Sequence, residues 1–399
     1  MADASQLFRI YERLRLMREK EPVFFNEKVG HWEVFRYADV LRVLTDHATF
    51  SSAYQMLGLS AARLVSDTMI SSDPPRHRQL RGLASQAFTP RRVALLEPRI
   101  EQLVAELLDA VEGAQTMDVI ADLAHPLPTV VIAELLGVDP ALRESFKRWS
   151  DAMLIVLDSR HHADAARVAE QAHHLEEMSG YFEQAAADRR RKPTDDFISA
   201  LVRAEIDGRG LTDRELVNLT NLTLVAGHET TTNLIGNAVI CLAQHPHVLS
   251  RVRANPSLIP GVVEETLRYL SPISGVARIS KTEVSLGQVV IPAGQLVWAW
   301  LASANRDPAQ FGDPDDFDID REPGQQLAFG HGIHFCLGMP LARMEARIAL
   351  TAMLARLPGS WRLPDAPLRP IPLVQHSGVV SLPLRWDGCR ESAPLLAGR

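Results

Sequence analysis

A chain of 399 residues, 46% hydrophobic and 23% charged, has the composition of a globular protein with ample material for a core. Its formal net charge of -7 argues against nucleic acid as the main partner. Three widely spaced cysteines (Cys241, Cys336, Cys389) fit a reducing compartment; the N-terminus lacks an apolar signal region and no run of 18 apolar residues offers a membrane span, so a soluble, cytoplasmic protein is expected.

In chain order, residues 22–37 alternate apolar and polar side chains around Glu27-Lys28-Val29-Gly30, which predicts a short β-hairpin. Residues 38–44 read as a helix, and residues 54–67 as a loop carrying a short helix. Asp73-Pro74-Pro75-Arg76-His77-Arg78-Gln79-Leu80-Arg81 opens a helix with prolines in its first turn, where they are tolerated, and sets His77 and Arg81 four apart on one face. Residues 90–242 are mostly helical text. The charged connector at residues 189–196 does not separate compositionally different halves, so residues 1–399 read as one domain. His161, His162, His173 and His174 lie in polar, acid-rich helical text and read as a solvated face, not a metal site.

Thr212-Asp213-Arg214-Glu215 is a capping box, in which the Thr oxygen and the Glu side chain satisfy orphan N–H groups reciprocally. The helix it starts runs to about residue 242, a length of roughly 45 Å, enough to cross the whole molecule. Its middle, Ala226-Gly227-His228-Glu229-Thr230-Thr231-Thr232, is poor helix-forming text and predicts a local distortion, with a Thr hydroxyl competing for backbone groups. His228-Glu229 begins like a zinc-protease helix, but the fifth residue is Thr232 and not His. Glu265-Thr266-Leu267-Arg268 sets an acid and a base three apart on a helical face. Residues 284–292 read as strand, turn, strand, and the proline-rich residues 364–386 lean toward β. The fold class is therefore mainly α with small β-sheets at front and rear.

Phe329-Gly330-His331-Gly332-Ile333-His334-Phe335-Cys336-Leu337-Gly338 places one cysteine in a glycine-relieved loop, just before a helix expected to begin near Pro340. Unpaired N–H groups and the positive dipole end at a helix start favour a thiolate, and a thiolate held there can serve as an axial iron ligand. His331, His334 and Cys336 do not make a structural zinc site, because no nearby cysteine supplies the fourth ligand. Gly330-x-Gly332 is not a dinucleotide fingerprint, because Phe335 stands where the third glycine belongs. A lone cysteine also suits a core position, so this loop by itself leaves both readings open.

The pattern Phe-x-x-Gly-x-His-x-Cys-x-Gly resembles the haem-binding loop of the cytochrome P-450 family, and Ala226-Gly227-His228-Glu229-Thr230 resembles that family's oxygen-activating motif. The front hairpin, His77-x3-Arg81, the long helix, Glu265-x-x-Arg268, the Arg321 segment and the cysteine loop follow in family order over nearly the whole chain. The resemblance implies the cytochrome P-450 fold, with a long central helix over one haem b. It implies Cys336 as the axial ligand of the haem iron, Phe329 packed against it, and the N–H groups of Leu337 and Gly338 bonded to its sulfur. It implies His77, Arg81, Arg278 and His334 as haem-propionate partners, Glu229 and Thr230 as the acid–alcohol pair that delivers protons to O2, and Glu265, Arg268 and Arg321 as a structural triad.

The implied activity is a bacterial-type monooxygenase that inserts one oxygen atom from O2 by hydroxylation or epoxidation. Electrons would come from a separate ferredoxin and ferredoxin reductase, docking on a basic face for which His331, Arg343 and Arg347 are candidates. Substrate-pocket candidates are Leu222, Ala226, Gly227, Ser274, Val276 and His376, with segments 54–67, 153–157, 173–181 and 375–377. These are mainly apolar, which predicts a medium-to-large lipophilic substrate: a fatty acid, terpene, steroid or macrolide. Two other readings stay open: a peroxide-driven or non-oxygenating haem-thiolate enzyme, against which the Glu229–Thr230 pair argues, and a haem-binding sensor without turnover.

Overall fold

A computed structural model describes residues 5–53, 67–157, 165–322, 325–371 and 375–387. Residues 54–66, His161, His162, Cys389 and the side chains at 153–157 lie outside the described residues.

The helix Asp213–Gln244 organises the molecule. Its capping box forms: Glu215 N–H donates to Thr212 Oγ1 at 3.3 Å, and Thr212 N–H donates to the Glu215 carboxylate at 2.9 Å. At 32 residues it is about 48 Å long. It packs against helices Pro126–Leu136, Arg143–Leu157, Ala165–Arg191, Ile259–Tyr269 and Met339–Arg356. Residues 231–242 are buried without exception, as expected of a helix enclosed on all sides rather than one with a solvent face.

The distortion expected at residues 226–232 is absent. Thr230, Thr231 and Thr232 donate their hydroxyls to the carbonyls of Ala226, Gly227 and His228 at 3.0, 3.1 and 2.9 Å. A carbonyl oxygen has two lone pairs, so it accepts the hydroxyl without losing its helical N–H. The irregular turn lies in the neighbouring segment Ile120–Ala124, a π turn whose Ala124 carbonyl accepts a second bond from Thr232 Oγ1 at 3.0 Å.

The predicted hairpin consists of strands Val23–Asn26 and His31–Val34, turning through Gly30 at φ +71°. It joins a five-stranded sheet by parallel pairing of His31–Val34 with Leu296–Ala299, followed by Val276–Ser280 and Phe50–Ser51. Val34, Val40, Phe50, Ile291 and Val297 form a second core beneath it, beside the main helical core. The predicted strands of residues 284–292 are Val284–Leu286 and Val289–Ile291, turning at Gly287. The helical reading of residues 90–242 misses strand Thr116–Asp118, which pairs with Pro383–Trp386, and the small pair Glu205–Ile206 with Arg209–Gly210. Thr116–Asp118 exists because a partner more than 260 residues away supplies its ladder, which no local pattern reveals.

Glu265, Arg268 and Arg321 meet in the interior. Arg268 donates to both Glu265 oxygens at 2.8 and 2.7 Å, and to the carbonyls of Asn305, Pro314 and Asp316 at 3.0, 2.7 and 2.8 Å. Arg321 Nε lies 3.4 Å from Glu265 Oε1, which also accepts the N–H of Asp318 at 2.9 Å. Arg268 and Glu265 are 2% and 4% exposed, so removing the carboxylate strands a buried guanidinium. Glu265→Ala is expected to destabilise the fold by about 3–5 kcal/mol in denaturant unfolding. A loss under about 1 kcal/mol would mean the ion pair is not enclosed as described.

Candidate active site

The cysteine loop is closed by its own backbone. Gly330 and Gly332 both have positive φ, +70° and +71°, which turns the chain tightly enough for Cys336 N–H to donate to the Phe329 carbonyl at 2.9 Å. A Cβ on Gly332 would crowd the Leu44 carbonyl at 3.2 Å, so this glycine also lets the loop sit on helix Tyr37–Thr45. The helix Met339–Arg356 starts immediately after the loop.

Burial pushes the Cys336 thiol up; the N–H of Gly338, the Arg81 charge, the N–H of Met339 and the Arg343 charge pull it back. The N–H of Met339 thus favours the thiolate alongside that of Gly338, and the Leu337 side chain packs on the main core. With the helix beginning at Met339, the N–H groups of 338 and 339 belong to its start, where backbone donors lack intrahelical partners. Phe329 meets Cys336 through its carbonyl, while its ring lies under the Arg343 guanidinium at 5.0 Å and 6.5 Å from the Phe335 ring.

Four basic side chains gather around His334 of the loop. His77 and Arg81 come from helix Arg76–Ala87, Arg278 from strand Val276–Ser280, and His334 from the loop itself. The His77 and His334 rings are 4.4 Å apart, and His334 Nε2 is 3.0 Å from Ser52 Oγ. His334 is pushed down to about 3, by burial first and then by the charges of Arg278 and His77. His77 is pushed down as well, by burial and then by Arg81. Its Nε2 is sealed from solvent with no hydrogen-bond partner. Mutually repelling basic groups with an orphaned nitrogen fit a dianionic ligand that would neutralise them. Ser52 had no mark in the sequence, since a lone serine in loop text carries no pattern.

On the central helix, Ala226 is exposed and Gly227 and Thr230 are part-exposed, although His228 and Glu229 between them are buried. An uncovered strip in the middle of an otherwise enclosed helix suits a flat group laid against it. Gly227 answers a second demand: a Cβ there would lie 2.5 Å from Ile132 Cδ1, so its absence permits the close approach of helix Pro126–Leu136. Glu229 is buried, and burial raises its pKa; the Asn233 amide, 3.5 Å away, opposes this, and the charge of Asp151 adds to it. Among the pocket candidates, Leu222 is buried in the main core, Ser274 N–H donates to the Gln375 carbonyl at 2.9 Å, and Val276 pairs with Ala299. His376 bridges to Ile273.

His228 turns away from the strip. Its Nε2 is 2.8 Å from Ser150 Oγ, its Nδ1 2.9 Å from the Leu224 carbonyl, and its ring 6.0 Å from that of His125, which lies 3.9 Å from Asp151. Burial pushes it down to about 4 against an ordinary 6.5; the Leu224 carbonyl opposes, and His125 and His376 add. The unfolded chain therefore takes a proton below about pH 6.5 that the folded protein refuses until about pH 4, so stability falls with pH across that window. From pH 7 to pH 5 the wild type should lose about 2 kcal/mol more unfolding free energy than His228→Gln. Equal losses in urea titrations would contradict the buried neutral imidazole.

Among the described residues no group of three or more His, Cys, Asp or Glu could hold a metal ion by itself. His174 instead lies 3.8 Å from Glu177, which accepts the Trp149 indole N–H at 3.0 Å. No helix of the described residues is long and apolar enough to cross a membrane. The capped cysteine, the basic quartet and the open helix strip together fit a haem.

The family model for cytochrome P-450 matches residues 9–383. The cyclomarin C epoxidase CymV of Salinispora arenicola is 44% identical over 350 residues, 87% of this chain and 88% of that one. The erythromycin C-12 hydroxylase of Saccharopolyspora erythraea is 43% identical over 360 residues, 89% of this chain and 88% of that one. Among solved structures, CYP109E1 from Bacillus megaterium in complex with testosterone aligns with a TM-score of 0.85 at 38% identity, covering 94% of this chain and 99% of that one. The chain accordingly belongs to the cytochrome P-450 family and is a haem-dependent monooxygenase.

Proposed function

We propose that this monooxygenase, a single domain over residues 1–399, hydroxylates or epoxidises a medium-to-large lipophilic substrate, using haem b and a separate ferredoxin-type electron donor in the cytoplasm. The observation that carries the reading is the Cys336 loop, closed by its N–H on the Phe329 carbonyl at 2.9 Å directly before helix Met339–Arg356, with its His334 ring 4.4 Å from that of His77. Cys336 would hold the iron, and a cation at the sulfur reverses the burial penalty that keeps the free thiol protonated. His77, Arg81, Arg278 and His334 would hold the propionates. The bound haem supplies the activation of O2 and the transfer of one oxygen atom to substrate.

The chain's own part is to manage protons and water. Glu229, raised by burial, holds a proton closer to neutral pH than an exposed carboxyl would. Thr230 donates to the Ala226 carbonyl at 3.0 Å, and rotation about one bond frees its hydroxyl to face the open strip. The substrate reading is supported by relatives named for cyclomarin C and erythromycin and by a structural neighbour solved with testosterone. Two of the three candidate donor contacts are already neutralised: Arg343 pairs with Glu264 at 2.5 and 2.7 Å, and Arg347 pairs with Glu97. His331 remains exposed.

The test is an optical titration of the purified ferric protein against fatty acids, terpenes, steroids and macrolides. A Soret shift with at least one class is expected and names the chemotype to assay for turnover. No response from any class would contradict the lipophilic-substrate reading.

A further inference from the structure

The helix that follows the cysteine loop carries three arginines that reach solvent, and each is held by an acid from another helix. Arg343 makes a two-pronged pair with Glu264 of helix Ile259–Tyr269, Nε to Oε1 at 2.5 Å and Nη2 to Oε2 at 2.7 Å. Arg347, one helical turn on, pairs with Glu97 at the start of helix Glu97–Asp109, and Arg356 pairs with Asp109 at the end of that helix. Arg343 is the arginine tied to the loop. Its guanidinium lies over the Phe329 ring at 5.0 Å, and the Phe329 carbonyl accepts the Cys336 N–H. The exposed His331 marks the tip of the same loop. An electron from outside therefore has a short route to Cys336 across this face.

A free guanidinium fork here would be a strong seat for a carboxylate of a visiting protein. Glu264 and Glu97 fill the two seats nearest the loop in advance. Neither pair is deep: the four side chains are between 33% and 40% exposed. Exposed pairs are worth little, so a carboxylate on a partner can displace them. The chemistry gives a reason for such weak competition. Inserting one oxygen atom of O2 and reducing the other to water takes two electrons, and an iron–sulfur carrier brings one per visit. A spent carrier that held on tightly would delay the second delivery.

We propose that Glu264 and Glu97 are internal competitors for an acidic [2Fe–2S] electron donor, holding Arg343 and Arg347 until it docks and keeping its grip weak enough for exchange between the two electrons. This rests on the ferredoxin-type donor of the reading above and adds how its docking is regulated. Asp109 supplies a control on the same helix. Its pair with Arg356 lies thirteen residues from Arg343, roughly 20 Å along the axis and beyond the ~10 Å over which exposed charges act at moderate salt.

The test measures the Kd of a plant-type [2Fe–2S] ferredoxin for the ferric holoenzyme by calorimetry at about 0.1 M salt, with dissociation followed by stopped flow. Glu264→Gln and Glu97→Gln keep the side-chain shape and a neutral acceptor. Each is expected to bind the donor about three- to fivefold more tightly than wild type, with slower dissociation. Asp109→Asn stays within about 1.5-fold of wild type, and adding Arg343→Gln to Glu264→Gln abolishes the gain. An unchanged Kd in either single Glu variant, an equal gain in Asp109→Asn, or a double variant as tight as Glu264→Gln overturns the proposal. An unchanged ferric spectrum in every variant shows that the haem site is intact. A wild type that neither binds the ferredoxin nor accepts its electron instead fails the donor reading, and the competitors with it.

Discussion

Cys336→Ala abolishes the thiolate-type haem spectrum and reduces product formation to background. No other side chain in the loop can take the place of the sulfur. His334 is held by Ser52 at 3.0 Å and packed on the His77 ring at 4.4 Å, and His331 stands exposed at the loop's tip. Cys241, the other cysteine among the described residues, is buried in the central helix with its thiol pushed up to about 12, chiefly by burial. The N–H groups of Gly338 and Met339 favour a thiolate at 336, and alanine leaves nothing there for them to stabilise. Absorption and ferrous–carbon monoxide spectra of the variant check this. A thiolate-type spectrum that survives the substitution would refute the ligand assignment.

Thr230→Ala has the second largest effect, and it falls on the fate of electrons rather than on haem binding. The Thr230 hydroxyl lies on the open strip of the central helix, directly after the buried acid Glu229. Alanine keeps the helix, because the Ala226 carbonyl retains its backbone bond, but it removes the hydroxyl proposed to order water and pass protons to oxygen. Positioned proton transfer contributes on the order of 10²-fold or more, so product formation should fall about 100-fold while NAD(P)H oxidation continues and hydrogen peroxide accumulates. Product and peroxide measured against NAD(P)H consumed separate the two. Unchanged product per NAD(P)H would remove Thr230 from the proton path.

Much of this arrangement was legible in the chain because its motifs are local. The capping box at Thr212–Glu215, the hairpin turn at Gly30 and the loop around Cys336 each contain both partners of their key contact within a few residues. Glu265 and Arg268 were readable as a pair for the same reason. What stayed hidden depends on partners far along the chain. Strand Thr116–Asp118 needs Pro383–Trp386, the Ser52–His334 bond joins residues 282 apart, and Glu97 and Glu264 neutralise the arginines expected to dock a donor. The threonine run misled for a different reason. Poor intrinsic propensity at 226–232 is overridden by the packing of His228, Glu229, Thr231 and Thr232 and of the fully buried stretch 231–242 that follows.

The central claim is that Cys336 presents a thiolate to a haem held by this fold. The most direct measurement is the ferrous–carbon monoxide difference spectrum of the purified, haem-loaded protein. A thiolate-type band that disappears in Cys336→Ala is the predicted result. A wild-type spectrum of the histidine-ligated type, or no haem retained at all, would contradict it.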